Sequence, residues 1–130
     1  MKPLRSIFIV DDDPIHQQIT EIMLQRLNIS ESVSRFSDAQ DALDYISSNL
    51  HDPMALPDLI LLDLNMPVMD GWEFLEAFAA VRDKLPGKIR VYVLTSSIDE
   101  KDRERVNAFS FVDGYLTKPL SKDVILQLAK

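Results

Sequence analysis

The sequence predicts an α/β fold built on one open parallel sheet, doubly wound with helices on both faces, and three observations carry that prediction. Short apolar runs alternate five times with longer stretches whose apolar residues recur at helical spacing. One run, Leu59-Ile60-Leu61-Leu62, is continuous rather than alternating, as expected of a strand covered on both faces. Acidic, hydroxyl and amine side chains stand directly after the runs, where a parallel sheet gathers its strand ends at a single edge.

The first strand is read over Leu4 to Val10, rich in Ile, Val and Phe. A helix follows, because Ile15, Ile19, Ile22, Met23 and Leu27 fall on one face. Asp13 before Pro14 is a natural start for it, an N-cap with proline at the first helical position. A second strand, Ser32 to Phe36, precedes a helix marked by Ala39, Ala42, Leu43, Ile46 and Leu50. After the third strand, a helix from Gly71 to Val81 carries Trp72, Phe74, Leu75 and Phe78, read as packing rather than chemistry. Ile89 to Leu94 is the fourth strand and Asp99 to about Ala108 the fourth helix; Phe111 to Leu116 is the fifth strand, and Leu120, Val124, Ile125 and Leu128 mark the fifth helix. Strands separated by helical crossovers run parallel, and right-handed crossovers place helices on both faces of the sheet.

Composition bounds the function. A chain of 130 residues, 46% hydrophobic and 27% charged, suits one folded domain over residues 1–130 and argues against disorder. Fourteen Lys and Arg against 21 Asp and Glu leave a net charge of -7, which removes a broad footprint for nucleic-acid phosphates. The absence of cysteine excludes disulfides, thiolate metal sites and a thiol nucleophile. Neither a membrane span nor an export signal is legible, so a soluble, cytoplasmic protein is expected.

The strand ends carry the chemistry: Asp11, Asp12 and Asp13 after the first, Asp63 at the third, Thr95 and Ser96 at the fourth, and Lys118-Pro119 after the fifth. Carboxylates gathered at one edge repel each other unless a cation neutralises them. Hard oxygen donors without imidazole or thiolate favour Mg²⁺, an ion that serves phosphate chemistry. A lysine at the same edge can neutralise a transferring phosphoryl oxygen, and a carboxylate can itself become an aspartyl-phosphate. Asp63 is the leading nucleophile candidate, because a buried central strand delivers it on a rigid backbone.

Four clusters then match a family. Val10-Asp11-Asp12-Asp13, the stretch from Leu62 through Asp63, Asn65 and Pro67 to Gly71, Leu94-Thr95-Ser96, and Tyr115-Leu116-Thr117-Lys118-Pro119 together resemble the receiver domain of bacterial two-component response regulators, over essentially the whole chain. The resemblance implies a flavodoxin-like sheet of order 2-1-3-4-5, with Asp63 as phosphoacceptor. It implies Mg²⁺ held by Asp12 and Asp63 with Asp11 assisting, and by the backbone carbonyl of Asn65. Lys118 would contact the phosphoryl oxygens, Thr95 would hydrogen-bond the attached group, and Tyr115 would turn from exposed to buried as the switch; the peptide before Pro119 is cis in the family. Expected partners are a sensor histidine kinase or a histidine phosphotransfer protein, then an unidentified downstream protein target, with no direct nucleic-acid or membrane contact and with a phosphorylation-dependent dimer left open.

Several residues carry a plainer reading beside this one. Thr95, Ser96, Ser97 or Asp99 can cap the fourth helix, Tyr115 can be an ordinary strand aromatic, and His16 and His51 are read as solvated. The fourth helix, with Asp99 to Arg105 all charged, has little apolar surface to anchor it. That makes it either a solvated face or the loosely docked element that a switch biases. The leading function is a stand-alone phosphoacceptor with no output domain in this chain and no enzymatic activity beyond taking and slowly hydrolysing its own phosphoryl group. The alternatives are a receiver excised from a longer regulator or hybrid kinase, a haloacid-dehalogenase-like phosphatase, which Asn65 in place of a second acid weighs against, and a flavin carrier, which the triple acid after the first strand weighs against.

Overall fold

Alternation along the first strand divides its side chains between two cores. Ile7 and Ile9 turn to one side of the sheet, Phe8 and Val10 to the other, and all four are buried. In the computed structural model, which describes residues 4–64, 70–96 and 99–128, strands β1 (Leu4–Val10), β2 (Ser30–Phe36), β3 (Leu59–Asp63), β4 (Arg90–Thr95) and β5 (Val112–Thr117) form one parallel sheet of order β2-β1-β3-β4-β5. Helices α1 (Pro14–Arg26), α2 (Ala39–Ser48), α3 (Gly71–Val81), α4 (Glu100–Val106) and α5 (Lys122–Leu128) connect and follow the strands. A short 3-10 turn, Arg82–Lys84, extends α3.

The larger core joins Phe8, Val10, Ile60, Leu62, Val91 and Val93 to α2, α3 and Val106 of α4. The other joins Ile7, Ile9, Leu59, Leu61 and Leu94 to Leu24 of α1 and to Ile125 and Leu128 of α5. Every residue of β3 is buried, which is why its apolar run is continuous. β2 lies at the sheet margin, and Ser30, Glu31, Ser32 and Arg35 are the polar residues that such an edge needs to resist pairing with another chain.

Four helices start on an aspartate whose carboxylate accepts backbone N–H groups of the first turn: Asp13, Asp38, Asp70 and Asp99. Asp70 adds the reciprocal bond from Glu73, completing a capping box. The strands begin or end within two residues of their expected bounds, and Thr95 falls inside β4. α4 is shorter than expected, running only to Val106, its one buried residue.

The structure corrects the orientation of α1. The isoleucine stripe does not face the core: Ile15, Ile19 and Ile22 are 68%, 47% and 39% exposed. The buried residues are His16, Gln17, Thr20 and Leu24, a stripe of similar regularity in which His16 Nδ1 and the Gln17 amide find partners where β1 and β2 end. Gln17 Nε2 donates to the carbonyls of Asp11 and of Phe36, the latter at 2.9 Å. Leu24→Ala is therefore expected to cost about 2–5 kcal/mol in urea unfolding, whereas Ile19→Ser should stay within about 0.5 kcal/mol. Equal losses would restore the isoleucine face as the buried one.

Candidate functional site

Parallel register brings the acids together. Ile9 pairs with Leu61 and Val10 with Leu62, so the next step along both strands sets Asp11 beside Asp63 at the interstrand spacing of about 4.8 Å. Asp11 is fully buried and Asp63 is 3% exposed, while Asp12 is exposed. One carboxylate oxygen from each of the three lies within 4.8 Å of the others. Gly71 keeps the scaffold tight, since a Cβ there would sit 2.6 Å from Leu64 Cα and 2.8 Å from the Asp63 carbonyl oxygen. Only glycine lets the start of α3 press on the end of β3 without displacing the nucleophile candidate.

Lys118 reaches the same point from β5. Its backbone N–H donates to the Thr95 carbonyl at 2.8 Å, and the Lys118–Pro119 peptide is cis. Its ammonium lies 3.0 Å from Asp11 Oδ2 and 3.0 Å from Asp63 Oδ2. Burial acts to lower the Lys118 pKa, but the hydrogen bonds to Asp63 and Asp11 and the charge of both together outweigh it and raise the pKa above the ordinary lysine value. The amine is therefore a fixed cation at neutral pH, spanning two buried carboxylates.

Thr95 is buried at the end of β4. Val93 pairs with Tyr115 and Thr95 with Thr117, so Thr95 and Tyr115 share the sheet face that carries α3 and α4. The Tyr115 ring packs against that core, and its hydroxyl is buried with no hydrogen-bond partner among the described residues. Arg103 of α4 stands 5.8 Å from the Tyr115 ring centroid and Arg105 stands 4.3 Å from that of Trp72. Trp72 also stacks on Phe109 at 6.5 Å, which agrees with its reading as packing. Asp13 and Asp99 cap helices, as their positions imply. Asn65, expected to offer its carbonyl to the ion, and Ser97, a cap candidate for the fourth helix, lie outside the described residues.

His16 was expected in solvent and is not there. It is buried on the first turn of α1, with Nδ1 2.6 Å from Asp11 Oδ2. The signal that finds it is its place three residues after the Asp13 cap, where the first helical turn faces back toward the strand it came from. His51 is exposed, as read.

The three acids offer only hard oxygen donors in a partly buried cluster, a set that fits Mg²⁺ or a similar hard divalent ion. Among the described residues, no helix is long and apolar enough to cross a membrane.

Comparison with known proteins places this arrangement. Residues 7–130 match the model of the response regulator receiver domain. The chain is 33% identical over 115 residues to a probable methanogenesis regulatory protein, FilR2, of Methanothrix harundinacea, covering 88% of the chain and 72% of that protein. It is 33% identical over 125 residues to the cell cycle response regulator CtrA of Brucella ovis, covering 95% of the chain but only 47% of CtrA. The chain thus spans less than half of that relative's length. Among solved structures, a two-component response regulator from Cytophaga hutchinsonii superposes with a TM-score of 0.84 at 25% identity, covering 98% of this chain and 95% of that one. A response regulator receiver protein from Dyadobacter fermentans gives 0.81 at 30% identity over 95% and 94%. The fold, the strand order 2-1-3-4-5 and the match over residues 7–130 lead to one conclusion: the chain belongs to the response regulator receiver domain family.

Proposed function

We propose that this chain accepts a phosphoryl group on Asp63 and signals through a changed surface. The observation that carries the reading is the Lys118 ammonium held 3.0 Å from both Asp11 Oδ2 and Asp63 Oδ2 at the sheet edge. A carboxylate oxygen of Asp63 attacks phosphorus, the new O–P bond forms as the bond to the donor breaks, and the electron pair of that bond leaves with the donor. The donor is a phosphohistidine of a sensor kinase or phosphotransfer protein, or a small acyl phosphate. Lys118 is already in place to follow the negative charge from the carboxylate to the phosphoryl oxygens. Thr95 is placed to donate to the attached group, and Tyr115, on the same face, couples that movement to α4, β5 and α5. A bound Mg²⁺, held by Asp11, Asp12, Asp63 and the Asn65 carbonyl, would supply the remaining positive charge at the phosphoryl oxygens. The downstream partner is a protein that reads the α4-β5-α5 surface.

Intact-protein mass after incubation with acetyl phosphate tests the reading. One phosphoryl adduct is expected with Mg²⁺, and none with chelator or in Asp63→Asn. An adduct that survives in Asp63→Asn would move the nucleophile elsewhere.

A further inference from the structure

We infer that His16 is a positioning residue for Asp11, orienting its carboxylate toward the cation from behind; this rests on the proposed role of Asp11 in holding the ion. Asp11 is fixed at both oxygens. The Asp13 backbone N–H donates to Oδ1 at 2.9 Å, while Oδ2 meets His16 Nδ1 at 2.6 Å and Lys118 Nζ at 3.0 Å. Lys118 is the member of this set whose partners change in the proposed reaction, as the negative charge passes to the phosphoryl oxygens. His16 is the member that stays. Its helix start is pinned by the Asp13 cap, with Ile15 and His16 N–H donating to Asp13 Oδ1 at 3.0 and 3.3 Å, and by the amide of Gln17 on the ends of β1 and β2.

The ring chemistry defines the direction of the bond. Nε2 is buried and has no hydrogen-bond partner among the described residues. A proton on Nε2 would leave a buried N–H unmet and would set the bare lone pair of Nδ1 against a carboxylate oxygen at 2.6 Å. With the proton on Nδ1, the ring donates to Asp11, and only one imidazole lone pair is left without a partner. This is the arrangement by which outer partners orient ligand groups in metal sites, where their loss typically costs 10–100-fold in metal affinity. Nothing in the composition of the three acids alone provides that orientation.

The experiment compares the full chain with His16→Leu, which keeps the bulk without a donor, and His16→Asn, whose side-chain amide N–H can stand near the place of Nδ1–H. Mg²⁺ dissociation constants come from calorimetric titration, folding of each variant from circular dichroism, and the ring tautomer of the wild type from ¹⁵N NMR. The inference expects an Nδ1-protonated ring, Mg²⁺ binding weakened about tenfold in His16→Leu, and binding in His16→Asn within about threefold of the wild type. An Nε2-protonated ring overturns it. So does unchanged binding in His16→Leu, or equal weakening in both variants, which would mean that the ring only packs. If the wild type itself binds no Mg²⁺ at millimolar concentration, the reading of the acidic site fails, and the inference fails with it.

Discussion

Replacing Lys118 by methionine is expected to tighten Mg²⁺ binding severalfold and to slow phosphoryl acceptance by about two to three orders of magnitude. The two effects have opposite signs because the proposed function gives Lys118 two tasks. Its ammonium lies 3.0 Å from Oδ2 of both Asp11 and Asp63, oxygens that a divalent cation would also take, so the two cations compete. Methionine keeps much of the stem and removes the charge, leaving carboxylates whose nearest oxygens lie within 4.8 Å of one another and whose repulsion a cation relieves. In the transfer itself the missing ammonium leaves charge on the phosphoryl oxygens unmet, and loss of one such preorganised donor ordinarily costs 10²–10³ in rate. Calorimetric Mg²⁺ titration and the time course of the acetyl phosphate adduct measure the two separately. Weaker ion binding in Lys118→Met would show that the amine organises the acids rather than competing for them.

Phe74→Ala is expected to lower stability by about 3–5 kcal/mol. Phe74 is fully buried in α3, its ring stacked on Phe78 with centroids 5.8 Å apart and planes within 11°. Phe78 in turn meets Phe111 at 5.5 Å, so the aromatic group ties α3 to the chain just before β5. Removing one ring opens a cavity that rigid strands on one side and a helix on the other cannot close. For a domain of this size the loss corresponds to a fall of roughly 10–20 °C in Tm. Thermal unfolding followed by circular dichroism measures it, and a fall of only a few degrees would show that the region repacks.

The parts of this protein that could be read from its sequence are those where one physical demand decides the residue. Leu59 to Leu62 had to be a doubly covered strand, and Asp13-Pro14 had to start a helix, because few other settings suit those residues. The gathering of Asp11, Asp12, Asp63 and Lys118 followed from parallel strands ending at a common edge. The inward face of α1 did not follow. Its apolar stripe and its buried stripe have the same period, and His16 and Gln17 are inside because His16 Nδ1 and the Gln17 amide find partners at the ends of β1 and β2. Those partners are 5 to 19 residues away in the chain and meet only once the sheet has formed. Hydropathy counts polar side chains as outward and cannot register a polar residue whose hydrogen bonds are completed by the fold.

The slight anchoring of α4 has a consequence for how the molecule fluctuates. Among the described residues, one buried valine, Arg103 over the Tyr115 ring of β5 and Arg105 over the Trp72 ring of α3 hold it in place. Such contacts supply on the order of 2–3 kcal/mol, against a global unfolding free energy of about 5–15 kcal/mol for native domains. Held by so little, this helix is expected to lift far more readily than the central strands separate. Its amides exchange with solvent through that local opening rather than through unfolding of the whole. Asp63 ends β3 and Asp11 directly follows β1, two strands packed into both cores, so the proposed phosphoacceptor and its acidic neighbour stand on slow-opening backbone, while the surface of α4 beside Tyr115 opens readily.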